Sequence, residues 1–254
     1  MNKSTHPQML ADSHKEELGY WNSTLKYLCE EDSEFFKIYQ RLVSSPYKNN
    51  VIDAKSRELI HVALSSSPTN LCEETLKIHM KNAMTHGATE REILEVLKLV
   101  SVLGMHTCAV GIPLLMEEYE TYSDQSTELN LNSKQQKLKE KFIHKMGYWG
   151  SFRDVLLDND EHFFESYYEY LTNPWESDII SPKLKEFIYI AIDSSTTHLF
   201  GAGIRVHIRN ALKYGATFEE IMEVFKLTSA QGVNTFYVGV PILKALLAEK
   251  REGE

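Results

Sequence analysis

Residues 79–96, HMKNAMTHGATEREILEV, return 128 positions later as HIRNALKYGATFEEIMEV at 207–224. The tripeptide GYW at 19–21 returns at 147–149 with the same offset, and no insertion or deletion is needed in between. Roughly four in ten aligned positions are identical, far more than two unrelated helical segments share. The chain is therefore a tandem duplication of one structural unit.

The offset also sets the boundaries of the two copies. The polar stretch SDQSTELNLNSK at 123–134 separates them and has the composition of a linker. We predict a first repeat over 1–122 and a second repeat over 135–254. A chain of 254 residues with 43% hydrophobic content is long enough for two units with proper cores.

The apolar pattern within each repeat has the period of a helix. Leu76 and Met80 stand four residues apart on one face, and the second repeat matches them. Gly87 is typical of a helix end, while Thr89 and Glu92 form a capping box that begins the next helix. No segment alternates with the two-residue period of a strand. We therefore expect an all-α protein.

Further helix boundaries follow from caps and prolines. Asp53 and Ser181 occupy aligned positions and are candidate N-caps. Pro113 and Pro241 are also aligned, and we expect the last helix of each repeat to follow them.

Composition argues against several classes of partner. The net charge is -9 and the basic residues are scattered among acidic ones, so nothing attracts nucleic acid or an anionic membrane. We find no apolar stretch of roughly 18 residues and no signal-peptide core at the start of the chain, which predicts a cytoplasmic protein without a membrane segment.

Cysteine and histidine spacing predicts no metal centre. The cysteines Cys29, Cys72 and Cys108 contain no CxxC pair, which favours reduced thiols. Several histidines occur in one repeat only, and their spacing shows no facial metal triad. These are His61, His86, His106 and His198.

An acidic residue on one helix precedes a histidine on the next, and then Gly-Ala-Thr and a capping glutamate. The residues are Glu58, His79, 87–89 and Glu92 in the first repeat, and Glu186, His207, 215–217 and Glu220 in the second. This order resembles the carboxymuconolactone decarboxylase family over nearly the whole of each repeat. The resemblance implies a tandem duplication of the alkylhydroperoxidase D-like helical domain. It also implies a ring-shaped homo-oligomer, here a trimer with six repeats.

Membership of one branch of that family can be tested by a sequence motif. The alkylhydroperoxidase D-like branch carries CxxCxxxH, whose two thiols form and break a disulfide. Here Thr75 replaces the second thiol, and Phe200 and Gly203 replace both in the second repeat, which disfavours a dithiol cycle. A thiol-dependent peroxidase working through Cys72 and Cys108 remains one alternative function, and a non-catalytic ligand-binding or scaffold protein remains another.

The decarboxylase-like half of the family implies a cofactor-independent decarboxylase or related carbon–carbon lyase that acts on a small organic acid or lactone. Loss of carbon dioxide leaves electron density on the substrate, and a proton must then reach carbon. His79 and His207 are the candidate proton-transfer residues, and Glu58 and Glu186 would orient them or supply the proton. The same four residues are also compatible with structural roles, as hydrogen-bonded core histidines and as first-turn acids favoured by the helix dipole.

Small residues beside each histidine leave room for a pocket. The candidate substrate-binding residues are Cys72, Thr75, His106, Gly203 and Asn234. Because the first repeat retains Cys72 and Thr75 where the second has Phe200 and Gly203, we expect His79 to perform the proton transfer with help from His106. The pocket around His207 would then hold an apolar part of the substrate.

Overall fold

The computed structural model describes residues 5–48, 50–123 and 129–252, so residues 124–128 of the predicted linker lie outside the described residues. The first repeat contains α1 (Thr5–Leu18), α2 (Ser23–Glu31), α3 (Ser33–Lys48), α4 (Ala54–Ser66), α5 (Glu73–Thr85), α6 (Glu90–Ser101) and α7 (His106–Ser123). The second contains α8 (Ser133–Met146), α9 (Phe152–Asn159), α10 (Glu161–Thr172), α11 (Pro182–Ser194), α12 (Gly201–Lys213), α13 (Phe218–Ser229) and α14 (Asn234–Glu252). The described ranges contain no strand, and the predicted all-α class is confirmed.

Local signals fix most helix ends as the sequence predicts. Asp53 and Ser181 accept backbone N–H bonds as the N-caps of α4 and α11. Thr89 and Glu92 form both halves of the capping box of α6. Gly87 has φ +86°, the left-handed conformation that closes α5 and that glycine adopts without strain.

The last helix of each repeat begins earlier than predicted. Helix α7 begins at His106 and α14 at Asn234, so Pro113 and Pro241 lie inside them. A 3-10 turn precedes each helix. The prediction was wrong because proline favours a first turn but is also found within a helix, where it removes one hydrogen bond.

The two repeats share one central core. Helices α4 and α11 pack against each other, and α6 and α13 cover both. Their contact faces are apolar, and Leu59, Val96 and Ile188 have no exposed surface. Two buried charged pairs also join the repeats. They are Arg57–Glu223 at 3.9 Å and Lys185–Glu95 at 3.7 Å.

Each repeat also sends its last helix to the other repeat. The cluster formed by α1–α3 includes buried Tyr237 of α14, and α14 contacts α2 and α5. The cluster formed by α8–α10 includes Val102, the first residue of the 3-10 turn before α7, and α7 packs on α9. This exchange places side chains of both repeats around each of the two histidines.

The helical stretch Glu90–Ser123 is long and apolar enough to cross a membrane, judged by length and composition alone. This differs from the prediction that no apolar stretch reaches that length. Only 22% of its most apolar 18 residues are buried, and no residue of α7 is fully buried, so α7 leaves an apolar surface uncovered by the described residues.

Candidate functional site

Two related cavities surround the two motif histidines. The first cavity contains His79 and the second contains His207. The first cavity is lined by Tyr20, His61 and Thr75 of the first repeat and by Gln231, Asn234 and Tyr237 of the second. The second cavity is lined by Tyr148, Arg153, Tyr189 and Gly203 of the second repeat and by His106 and Ala109 of the first. Each cavity is therefore completed by the last helix of the other repeat.

The cavities differ in size by more than tenfold. The first has a volume of about 30 Å³, enough for one or two water molecules. The second has a volume of about 420 Å³, within the range of small-molecule sites. Buried Tyr237 occupies space in the first cavity at the position where the second has Ala109. Of these two cavities, the second alone has room for an organic substrate.

Each histidine is paired with the glutamate that the sequence motif suggested. His79 Nδ1 lies 2.8 Å from Glu58 Oε2, and His207 Nδ1 lies 2.6 Å from Glu186 Oε2. Both glutamates are buried, and the histidine side chains are about one-tenth exposed. Because Nδ1 donates to the carboxylate, Nε2 of each ring is left for the cavity. This arrangement fixes the ring and suits it for proton transfer.

An aromatic ring stacks on each histidine. His61 stacks on His79 with centroids 4.3 Å apart, and Tyr189 stacks on His207 at 4.5 Å. Burial holds the pKa of His61 well below its usual value, so this ring is a neutral stacking partner. The structure thus gives His61 a packing role beside His79.

Asp193 is a buried carboxyl group that sequence reasoning missed. It has no exposed surface and neither oxygen accepts a hydrogen bond within the described chain. Its Oδ2 lies 3.9 Å from His207 Nε2 and its Oδ1 lies 3.7 Å from His106 Nδ1. Burial raises the pKa of Asp193 to about 7, partly opposed by His207. A signal was present, since Asp193 stands seven residues after Glu186 on one helix face and replaces Ser65 of the first repeat.

Gly203 makes room for this carboxyl group. A Cβ at Gly203 would lie 2.0 Å from Asp193 Oδ2, closer than real Cβ contacts come. The first repeat has Thr75 and Ser65 at the aligned positions. The small residue was predicted to open a pocket, and the structure shows that it also accommodates an acid.

Two histidines lie beside Asp193. His106 Nδ1 is 2.7 Å from His198 Nε2, and a possible metal-ligand atom of each of His106, Asp193 and His198 lies within 4.8 Å of the others. Burial lowers the pKa of His106 to about 3, with a further contribution from His198. The sequence predicted no metal triad because the three residues come from different repeats and only the exchange of α7 brings them together.

Arg153 supplies positive charge at the second cavity. Its guanidinium donates to Tyr167 Oη at 2.8 and 3.1 Å and lies over the ring of Tyr148. Only 7% of the residue is exposed, and no carboxylate of the described chain pairs with it. Arg205, two residues before His207 on α12, is exposed instead. A cation this buried favours an anionic group in the cavity.

The remaining sequence candidates fall in different places. Thr75 lines the first cavity with Asn234, whose amide donates to Asn70 Oδ1 at 3.1 Å. Cys72 is buried in the apolar cluster of α1–α3, and the three cysteines are free. His106 lies in the second cavity, so the expectation that it assists His79 is wrong.

Comparison with known proteins agrees with this architecture. The model of the carboxymuconolactone decarboxylase family matches residues 33–105 and 161–248, once in each repeat. A solved structure from Burkholderia xenovorans LB400, provisionally named a gamma-carboxymuconolactone decarboxylase subunit, superposes with a TM-score of 0.90. It is 37% identical, and the match covers 96% of this chain and 98% of that one. No functionally curated protein matches. The predicted tandem organisation of the fold is confirmed.

Proposed function

Because the chain belongs to the carboxymuconolactone decarboxylase family, we propose that it is a carbon–carbon lyase that decarboxylates a small organic acid or lactone in the second cavity. The observation that supports this most directly is the buried His207–Glu186 pair at a cavity of about 420 Å³. The equivalent pair at His79 faces a cavity of about 30 Å³. This reverses the roles that the sequence suggested for the two histidines.

The chemistry needs an acceptor for two electrons and a donor of one proton. When the carbon–carbon bond to the carboxylate breaks, its electron pair moves to a carbonyl oxygen of the substrate. Arg153 would stabilise the negative charge that develops on that oxygen, since its buried guanidinium has no carboxylate partner among the described residues. Carbon dioxide then leaves.

His207 would complete the reaction. With Nδ1 donating to Glu186, a proton on Nε2 can pass to the carbon that lost the carboxylate. The ring regains its proton from solvent. Glu186 is a positioning residue here, because it balances the charge of the protonated ring without contacting the substrate.

A carbon dioxide release screen across carboxylated lactones and keto acids tests the proposal. The chain contains its own matched control, because His207→Gln and His79→Gln alter equivalent pairs. We expect His207→Gln to lower kcat by a hundredfold or more and His79→Gln to change it by less than about threefold. The proposal fails if no carboxylated substrate releases carbon dioxide, or if His79→Gln is the damaging variant.

A further inference from the structure

The cluster beside the second cavity combines donors from three elements. His106 begins α7 of the first repeat, Asp193 lies near the end of α11, and His198 lies in the turn before α12. His106 Nδ1 is 2.7 Å from His198 Nε2 and 3.7 Å from Asp193 Oδ1. Two imidazole nitrogens and a carboxylate oxygen therefore converge on one small volume.

The carboxyl group of Asp193 is buried without a hydrogen-bond partner among the described residues. It is fully buried, and neither oxygen accepts a hydrogen bond within the described chain. A buried carboxylate without a hydrogen bond or a cation is costly. The imidazole nitrogens of His106 and His207 are 3.7 and 3.9 Å from its oxygens, beyond hydrogen-bond distance. A positive ion between the carboxylate and the imidazoles would satisfy this group.

We propose that His106, Asp193 and His198 bind a divalent first-row transition-metal ion at the edge of the second cavity. Two histidines and one carboxylate are a common ligand set for Zn²⁺ and for its neighbours in that row. Ligand atoms about 2.0–2.1 Å from a tetrahedral ion are roughly 3.3 Å apart. The two imidazole nitrogens must therefore separate by about 0.6 Å from their present contact, and the carboxylate oxygen, now within 4.8 Å of both, must move closer to them. His198 lies in a turn and is partly exposed, which permits that shift.

His207 would lie next to this ion without binding it. The second oxygen of Asp193 faces His207 Nε2 at 3.9 Å, so the carboxylate would connect the ion to the His207–Glu186 pair. Such outer contacts orient metal ligands and tune their affinity. Metal binding is a property of the folded chain and does not depend on the lyase activity proposed above.

The region beside the first cavity shows what the equivalent positions look like without a metal-ligand set. Asn234 and Asn70 align with His106 and His198, and their side chains form a hydrogen bond of 3.1 Å. Ser65 aligns with Asp193. The double variant His106→Asn/His198→Asn thus installs a pair that the fold already accommodates in its other half.

The test uses the full chain without an affinity tag, freed of metal with a chelator. Zn²⁺ is titrated by calorimetry, and bound Zn²⁺ is measured by mass spectrometry after dialysis. We expect one Zn²⁺ per chain and a rise in Tm, since the ion binds the folded state. The double asparagine variant should bind at least about a hundredfold more weakly, and Asp193→Ser should do the same.

His86→Tyr, which removes an exposed histidine outside the cluster, is the matched control and should bind like the original chain. Circular dichroism verifies that each variant is folded. If Asp193→Ser does not fold, the double asparagine variant decides alone. The proposal is overturned if the original chain retains less than about one-tenth of an equivalent of Zn²⁺. It is equally overturned if the double variant binds as tightly as the original, because the ion would then be adventitious.

Discussion

The Asp193 side chain packs directly against Gly203, and the energetic coupling between the two residues can be measured. An alanine Cβ at position 203 would lie 2.0 Å from Asp193 Oδ2 and 2.7 Å from a ring carbon of Phe200. We expect Gly203→Ala to lower the free energy of unfolding by about 1–2 kcal/mol, because overpacking outweighs the helix propensity gained. In the Asp193→Ser background the loss should be smaller by about 1 kcal/mol, since that background removes the closest clash.

Urea unfolding of the four proteins in a chelator measures this coupling. Asp193→Ser with Gly203→Thr restores the pair present in the first repeat and serves as a further control. Equal losses in both backgrounds would show that the ring of Phe200, and not the carboxyl group, is the obstacle.

His14 makes the stability of the first repeat depend on pH. It is fully buried and surrounded by Tyr20, Trp21 and Phe36, with ring centroids 5.1–5.7 Å away. Burial lowers the pKa of His14 to about 4, against a smaller raising effect of Glu17. The unfolded chain therefore binds the proton first. The free energy of unfolding falls as the pH drops below about 6.5, and this contribution levels off below about 4.

The second repeat supplies the matched variant, because Phe142 occupies the aligned and equally buried position. Between pH 7.5 and pH 5 the original chain should lose about 2 kcal/mol more stability than His14→Phe. Chemical unfolding at the two pH values measures this difference, and exposed His86→Tyr is the control. Identical pH dependence of the original chain and His14→Phe would contradict the assignment.

Sequence reasoning at the residue scale succeeded where a motif was local. Glu58 with His79, and Glu186 with His207, are adjacent as the motif implied. Arg153 was missed because its importance lies in what surrounds it, namely aromatic rings with no acidic partner among the described residues. Neither the composition of α9 nor its spacing shows that environment.

For whole helices, too, features set by neighbouring residues could be predicted from the sequence, whereas tertiary contacts could not. Caps such as Thr89 fixed helix starts, because capping uses residues within one turn. The destination of α7 and α14 could not be predicted, because helical periodicity shows that a face is apolar but not which repeat covers it. That exchange moved His106 from the cavity where it was expected to the opposite one.

Helix α7 completes the second cavity, and a substitution on this helix tests its role. Ala109 lines the second cavity, and the aligned residue Tyr237 helps to fill the first. We expect Ala109→Tyr to occupy part of the 420 Å³ and to lower kcat/KM on any substrate by tenfold or more. The fold should remain stable, because the ring enters existing space. Thr107→Tyr, on an exposed position of the same helix, is the control. Full activity in Ala109→Tyr would place the substrate elsewhere.

At the scale of the molecule, the repeat and the family could be read from sequence, whereas the shared core could not. A fixed offset shows that two units have the same fold, but it does not show that they merge through α4 and α11. The charged pairs that tie them, Arg57–Glu223 and Lys185–Glu95, join residues far apart in sequence. The two repeats thus form one body with two unequal cavities.

The outer surface of that body carries two apolar rows that none of the residues described by the structure covers. Leu114 and Leu115 on α7 are 57% and 62% exposed, and the aligned Ile242 and Leu243 on α14 are 57% and 45% exposed. Patches of this kind mark contact surfaces in proteins that assemble. We propose that they contact further copies of the chain in a trimer with six repeats in a ring. The expected mass is about three times 29.3 kDa, which light scattering measures at micromolar concentration.

Charge placed in these rows should break the assembly. Leu115→Glu with Leu243→Glu alters equivalent positions of both repeats and should yield a species of one chain, because a buried unpaired carboxylate at each contact costs several kcal/mol. Met9→Glu, an exposed apolar position on α1, should leave the assembly intact. A single species of 29.3 kDa from the original chain would contradict the trimer. If Met9→Glu alone dissociated the assembly, the contact surface would lie on α1 and not on α7 and α14.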